Sequence, residues 1–257
     1  MKKFSEINDN GSGANFLMPF ETDKKCPTCG RVLYAVKMPF QPLTFTRCAC
    51  QIERDAKEAE AKKKWDEAEQ IKENVAQSGM TKLQRSCTFN SFERRAKTEK
   101  ALSIARRYAD SFPNVNKGLL FIGSCGSGKT HLALAIGNAI LQKGYTVRFL
   151  TASRLFRDLK ETFNSYDITE NDILNPLLRC NLLILDDLGV SAPSEWSKSV
   201  LHDLISDRID AQKPTICTTN LNFDQLPDRL DSRTVDRLQA QNFAPVWMNA
   251  TSYRKEQ

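Results

Sequence analysis

The run Gly123-Ser124-Cys125-Gly126-Ser127-Gly128-Lys129-Thr130 has residue types and a spacing, G-x-x-x-x-G-K-[ST], that can cradle a triphosphate. Glycines let a backbone bend round phosphate oxygens without Cβ clashes, so successive N–H groups point into one anion-binding hollow. Lys129 supplies a cation for the β- and γ-phosphates, and Thr130 a hydroxyl for Mg²⁺. A helix beginning near Lys129 adds the partial positive charge of its N-terminus. A chance glycine-rich turn would not need an apolar strand in front and a helix behind. Leu119-Leu120-Phe121-Ile122 precedes this run, and a helical pattern over 131–142 follows it.

A second set of groups comes from Asn181-Leu182-Leu183-Ile184-Leu185-Asp186-Asp187, where an apolar strand ends in two acids. Asp186 is placed to hold the Mg²⁺ shell through water, and Asp187 to orient or deprotonate the water attacking ATP. Thr215-Ile216-Cys217-Thr218-Thr219-Asn220 is another strand, ending in an amide. Asn220 is a candidate sensor of the γ-phosphate, the alternative being an Asn turn after a strand. ATP with Mg²⁺, slowly hydrolysed, is the chemistry these groups predict.

Cys26-Pro27-Thr28-Cys29 and Cys48-Ala49-Cys50 offer four thiolates, enough for a tetrahedral Zn²⁺ that would fold a segment too small for its own core. The C-x-C half departs from the commoner C-x-x-C. A redox C-x-x-C is the rival reading, but it needs a βαβ context that is absent here. Cys87, Cys125, Cys180 and Cys217 are scattered and read as reduced, mostly buried residues. His131 and His202 are not placed to compete for the metal, and His131 reads as structural.

These groups must be positioned by elements, and the pattern supplies them. Strand patterns at 119–122, 146–150, 182–185, 215–218 and 246–248 alternate with helical ones at 131–142, 153–164, 168–178, 195–211 and 232–240, with another helix at 96–111. Such alternation predicts an α/β fold, a parallel five-stranded sheet covered on both faces. Before it, 51–77 is rich in Lys, Glu and Ala without Pro or Gly, and reads as one long charged helix. It is either a solvated spacer or a docking helix with Trp65 and Ile71 as anchors. The expected organisation is 1–20 flexible, 21–77 a zinc-binding module with the charged helix, 78–95 a linker and 96–257 the ATPase domain.

The chain of 257 residues carries a formal charge of +6, which permits an anionic partner without requiring one. No apolar run reaches the roughly 18 residues of a membrane span. The start, Met1-Lys2-Lys3-Phe4-Ser5-Glu6, lacks the apolar stretch of a signal peptide, so a cytoplasmic location is expected.

Over about 79–256 the chain resembles the AAA+ helicase loaders of the DnaC/DnaI type and their IstB-like relatives. The resemblance rests on 123–130, on LLILDDLG over 182–189, on Thr218-Thr219-Asn220-Leu221, on Arg233-Thr234-Val235-Asp236-Arg237-Leu238 and on Ser252-Tyr253-Arg254. It implies a P-loop AAA+ ATPase core that binds ATP between self-associating subunits. It also implies a replicative hexameric helicase as partner, placed on single-stranded DNA. Arg233 then matches an arginine finger reaching a neighbour's γ-phosphate, and Arg254 a second sensor acting on its own subunit's nucleotide. Each is otherwise a surface salt bridge, and Arg237 could share or support the role. Asp187 stands where many relatives have Glu, one methylene longer.

By the same resemblance, 20–77 is the part that grips the helicase; alternatively the zinc knob touches DNA through Arg31, Lys37 and Arg47. Single-stranded DNA needs basic grooves with aromatic rings. Arg148, Arg154, Phe156, Arg157, Lys160 and Phe163 are the candidates, with Phe156 and Phe163 expected to face the core. Two other functions stay open: an IstB-like transposition helper ATPase binding duplex DNA, and an ATP switch with little turnover.

Overall fold

Strand-by-strand alternation fixes the architecture of the computed structural model, which describes residues 19–36, 42, 44–95, 97–163, 167–189, 194–239 and 242–248. Contact density divides the chain into two units, Met1–Asp66 and Glu67–Gln257.

In the first unit, β1 (Phe20–Lys25), β2 (Val32–Val36) and β3 (Thr44–Phe45) form a three-stranded antiparallel sheet in the order β1-β2-β3. Helix α1 (Ala49–Gln77) runs for 29 residues from this unit into the second, as one element. Within the first unit Trp65 is 66% exposed. In the second unit, Ile71 is half-buried and Val75 packs on a hydrophobic core.

The second unit continues with α2 (Lys82–Arg85), α3 (Glu99–Ser111), β4 (Gly118–Gly123), α4 (Lys129–Gln142), β5 (Val147–Thr151), α5 (Ala152–Thr162) and α6 (Glu170–Arg179). It ends with β6 (Leu182–Leu188), α7 (Glu195–Asp210), β7 (Thr215–Thr219), α8 (Ser232–Gln239) and β8 (Phe243–Met248). The sheet is parallel throughout, in the order β5-β6-β7-β4-β8. Successive side chains of β4 point to opposite faces. Leu119 and Phe121 join α3 and α4 in one core, while Leu120 and Ile122 join α5, α6, α7 and α8 in the other. Each such residue removed from water contributes about 1.5–3 kcal/mol, which is why the parallel strands are almost wholly apolar.

The segment expected to be a linker is packed: Met80 and Phe92 are both buried in the α3–α4 core. Its path begins on the free edge of the sheet. Phe149 N–H donates to Ser78 O at 2.8 Å, and Arg148 donates to both Gln77 O and Gln77 Oε1. Asn74 Nδ2 donates to Gly144 O at 2.9 Å. Arg148, one of the candidate DNA contacts, is thereby tied to the last residue of α1.

Arg208 is fully buried yet has no carboxylate partner among the described residues. Its guanidinium donates to Leu177 O at 2.6 Å, Cys180 O at 3.1 Å, Pro214 O at 2.7 Å and Thr215 Oγ1 at 2.9 Å. Carbonyls at the negative end of α6 thereby find a cation, locking α6 and α7 to the start of β7.

Candidate nucleotide site

The C-terminal ends of β4, β6 and β7 meet where connections leave for opposite faces, the position at which open parallel sheets bind ligands. Between β4 and α4 the chain turns sharply. Gly128 has φ +95°, and a Cβ there would lie 2.8 Å from Phe92 Cε2. At Gly123 a Cβ would come within 2.3 Å of Met248 O. Only glycine fits either place, so the loop can lie tight against its neighbours.

Lys129 heads α4 and is 4% exposed. Its Nζ donates to Gly123 O at 2.9 Å, Ser124 O at 2.8 Å and Asn220 Oδ1 at 2.6 Å. The loop lysine and Asn220, 91 positions apart, are therefore in direct contact. Burial depresses the lysine's pKa, with the charges of Asp187, Cys125 and Asp186 acting the other way. An anion beside Nζ would reverse that depression.

Thr130 Oγ1 donates to Asp186 Oδ1 at 2.8 Å, and Thr218 Oγ1 donates to the same oxygen at 2.6 Å. Asp186 is 4% exposed, and burial raises its pKa while the Thr218 bond lowers it. A buried carboxylate beside a threonine hydroxyl is a donor set that fits Mg²⁺, whose charge would favour the ionised form. Just beyond, the β6–β7 register slips between Leu185 and Leu188. Asp187 takes up this bulge with φ +58°, and its N–H donates to Thr218 Oγ1 at 3.0 Å. The left-handed region is several-fold enriched in Asn and Asp among non-glycine residues.

A cavity of about 530 Å³ opens over these groups, within the roughly 300–1,000 Å³ of small-molecule and cofactor sites. Its lining includes Cys125, Lys129, Thr130, His131, Asp187 and Asn220 together with Ser91, Phe92 and Glu93. His131 Nε2 lies 3.0 Å from Thr88 O and 3.3 Å from Ser91 Oγ. Its ring meets Phe92 edge-on at 5.3 Å. His131, read from sequence as structural, ties the segment before α3 to the phosphate loop and shares the cavity wall. Residues 91–93 and Thr218 were missed as site residues. Thr218 carried no distinguishing signal, because β7 reads Thr-Ile-Cys-Thr-Thr and three of its residues are threonines.

Arg233 lies outside this cavity, on the first turn of α8, with its side chain 66% exposed. Its Nη2 and Nε donate to Asp231 Oδ2 at 2.7 and 3.0 Å. Arg254 falls outside the described residues, as do Lys37 and the Gly-rich start. On α5, Arg154 and Arg157 both approach Asp158, at 3.4 and 3.6 Å. Phe156 is half-buried, whereas Phe163, expected to face the core, is 63% exposed and meets Trp196 edge-on.

In the first unit the Sγ atoms of Cys26, Cys29, Cys48 and Cys50 all lie within 4.8 Å of one another. Neighbouring sulfurs are 3.3 to 3.5 Å apart, close to the ~3.8 Å edge of a tetrahedron with ~2.3 Å Zn–S bonds. The C-x-C half has this spacing because α1 starts between its cysteines: Cys48 precedes the first turn and Cys50 lies in it. Backbone N–H groups of Cys29 and Thr28 lower the Cys26 thiol to about 6. Hydrogen bonds with Cys29 and Cys26 raise Cys50 to about 12. Four sulfurs this close need a cation before all can ionise, so the cluster fits a zinc module.

Comparison with known proteins agrees with this geometry. The family model described as IstB-like ATP binding protein matches residues 61–257. The replicative helicase loader DnaC of Escherichia coli strain K12 is 30% identical over 207 residues, covering 80% of this chain and 84% of that protein. A crystal structure of the DnaC helicase loader superposes with a TM-score of 0.60 at 28% identity, covering 66% of this chain and 100% of that one. For a crystal structure of DnaI the values are 0.57 and 27%, covering 66% and 95%. No helix among the described residues is long and apolar enough to cross a membrane.

Proposed function

This chain belongs to the IstB-like ATP-binding family, with the DnaC helicase loaders among its relatives, and from that premise we propose that it is an ATP-hydrolysing loader of a replicative helicase. The observation that carries the reading is the contact of Lys129 with Asn220 beside Thr130 and Asp186, at the mouth of a nucleotide-sized cavity. Loop amides of 123–130 and Lys129 bind the phosphates. Thr130 and Asp186 hold Mg²⁺, which neutralises phosphate charge when bound. Asp187 positions or deprotonates the attacking water, and Asn220 reads the γ-phosphate. Arg233 reaches the γ-phosphate of a neighbouring copy, where a guanidinium stabilises transition-state charge. Arg254 is assigned the second sensor on the resemblance alone. We assign the cytoplasm as the working compartment.

The four-cysteine module, with the exposed Trp65 on α1, favours a helicase-gripping N-terminal part over the transposition helper. Gel filtration with the host's hexameric replicative helicase tests this. A stable complex in ATP and Mg²⁺ is expected, together with capture of single-stranded DNA. No complex with or without ATP, alongside filaments on duplex DNA, would transfer the protein to the transposition class.

Zinc is assigned to the cysteine cluster. Elemental analysis is expected to return about one zinc per chain. Cys29→Ser with Cys48→Ser should remove it and loosen residues 20–48 in hydrogen exchange, leaving ATP binding in place. Metal-free protein with unchanged exchange in that segment would reject the site.

A further inference from the structure

Asp231 divides its carboxylate between two tasks. Oδ1 accepts the Arg233 N–H at 3.0 Å, capping the start of α8. Oδ2 accepts from both Nε and Nη2 of the Arg233 guanidinium. The arginine is therefore folded back on the start of its own helix, although its side chain is 66% exposed and open to a partner. While that contact holds, the Nε–Nη2 edge cannot grip phosphate oxygens in a bidentate fork, and the side chain cannot extend from the surface.

We propose that Asp231 is a positioning residue that parks Arg233 until a second copy of this chain presents a nucleotide triphosphate. The inference rests on the reading of Arg233 as the group that reaches a neighbour's γ-phosphate. Three features fit a holding contact that a phosphate can break. The Arg233 side chain is 66% exposed while that of Asp231 is 21% exposed, so water reaches the pair from the arginine's side and screens it, and its strength is of the order that a polyanion overcomes. Arg233 draws the Asp231 carboxyl down to about 2 through its hydrogen bonds. Protonation near neutral pH therefore does not open the contact, and release needs a competing anion. Asp203 on α7 adds a further attraction to the same guanidinium without bonding it.

Asp231→Asn separates the two tasks, because Asn caps helices about as well as Asp but carries no charge. ATP turnover of the full chain would be measured across a protein-concentration series. In Asp231→Asn the half-saturating protein concentration should fall about two- to fivefold, the size of an exposed ion pair, with an unchanged thermal midpoint. The gain should vanish when Arg233→Ala is added. Turnover that stays level or drops in Asp231→Asn overturns the parking role, as does a gain that persists without Arg233. The single Arg233→Ala variant reports separately on the underlying reading. If it hydrolyses ATP like the parent, the trans role of Arg233 fails, and the parking role fails with it.

Discussion

Lys129→Ala is expected to lower ATP affinity roughly 10- to 100-fold and turnover about 10²- to 10³-fold, the range for removing one charged donor from developing phosphate charge. The fold should survive. The substitution frees the acceptors at Gly123 O, Ser124 O and Asn220 Oδ1, a cost of about 1 kcal/mol each. It also removes a buried cation whose pKa is depressed by desolvation, an effect of opposite sign. The decisive measurement is the thermal shift on adding ATP and Mg²⁺. Ligand at a hundredfold excess over Kd adds about 2.7 kcal/mol of stability, roughly 5–10 °C for a domain of this size. The parent chain should show that shift and Lys129→Ala should lose most of it. An undiminished shift would move the nucleotide away from the phosphate loop.

Local chemistry was legible where one segment carried it whole. The phosphate loop needs only glycine spacing, a lysine and a threonine between a strand and a helix, and all of these are consecutive. Asp186 and Asn220 were legible because an apolar strand ending in a polar group is a one-dimensional pattern. The five parallel strands followed for the same reason: each is a short run rich in apolar or β-branched residues, alternating with helical patterns. What stayed hidden was pairing across distance. Thr218 reads as one more β-branched residue until β6 and β7 are side by side and its hydroxyl bridges Asp186 and the Asp187 amide. Phe92 sits in a polar, turn-rich stretch, and its burial against Gly128 depends on how residues 78–95 pack. The bonds of Arg148 to Gln77 were hidden too, because a strand-borne arginine carries no sign of the helix end it meets. Charge in a sequence reports only that a partner is needed. Whether the partner is a carbonyl, a carboxylate or a phosphate is decided by the fold.

Asp187→Asn should separate binding from chemistry. The side chain keeps its size and its tolerance of a left-handed backbone, so the bulge between Leu185 and Leu188 should persist. What is lost is a carboxylate able to take or orient a proton of the attacking water, worth about 10²- to 10⁴-fold in rate. The ATP-dependent thermal shift should remain, because the loop amides and the hydrogen bonds of Lys129 are kept. A variant that hydrolyses at the parental rate would remove Asp187 from the mechanism. Asp187→Glu makes the complementary point. A longer carboxylate reaches further, but φ +58° at this position is a conformation in which a larger side chain costs about 1–2 kcal/mol. Glu at 187 must therefore either unwind the bulge, breaking the Asp187–Thr218 bond that orders Asp186, or hold a strained backbone. We expect Asp187→Glu to bind ATP but turn over no faster than the parent. A gain of tenfold or more would mean that side-chain length, not the bulge geometry, limits this site.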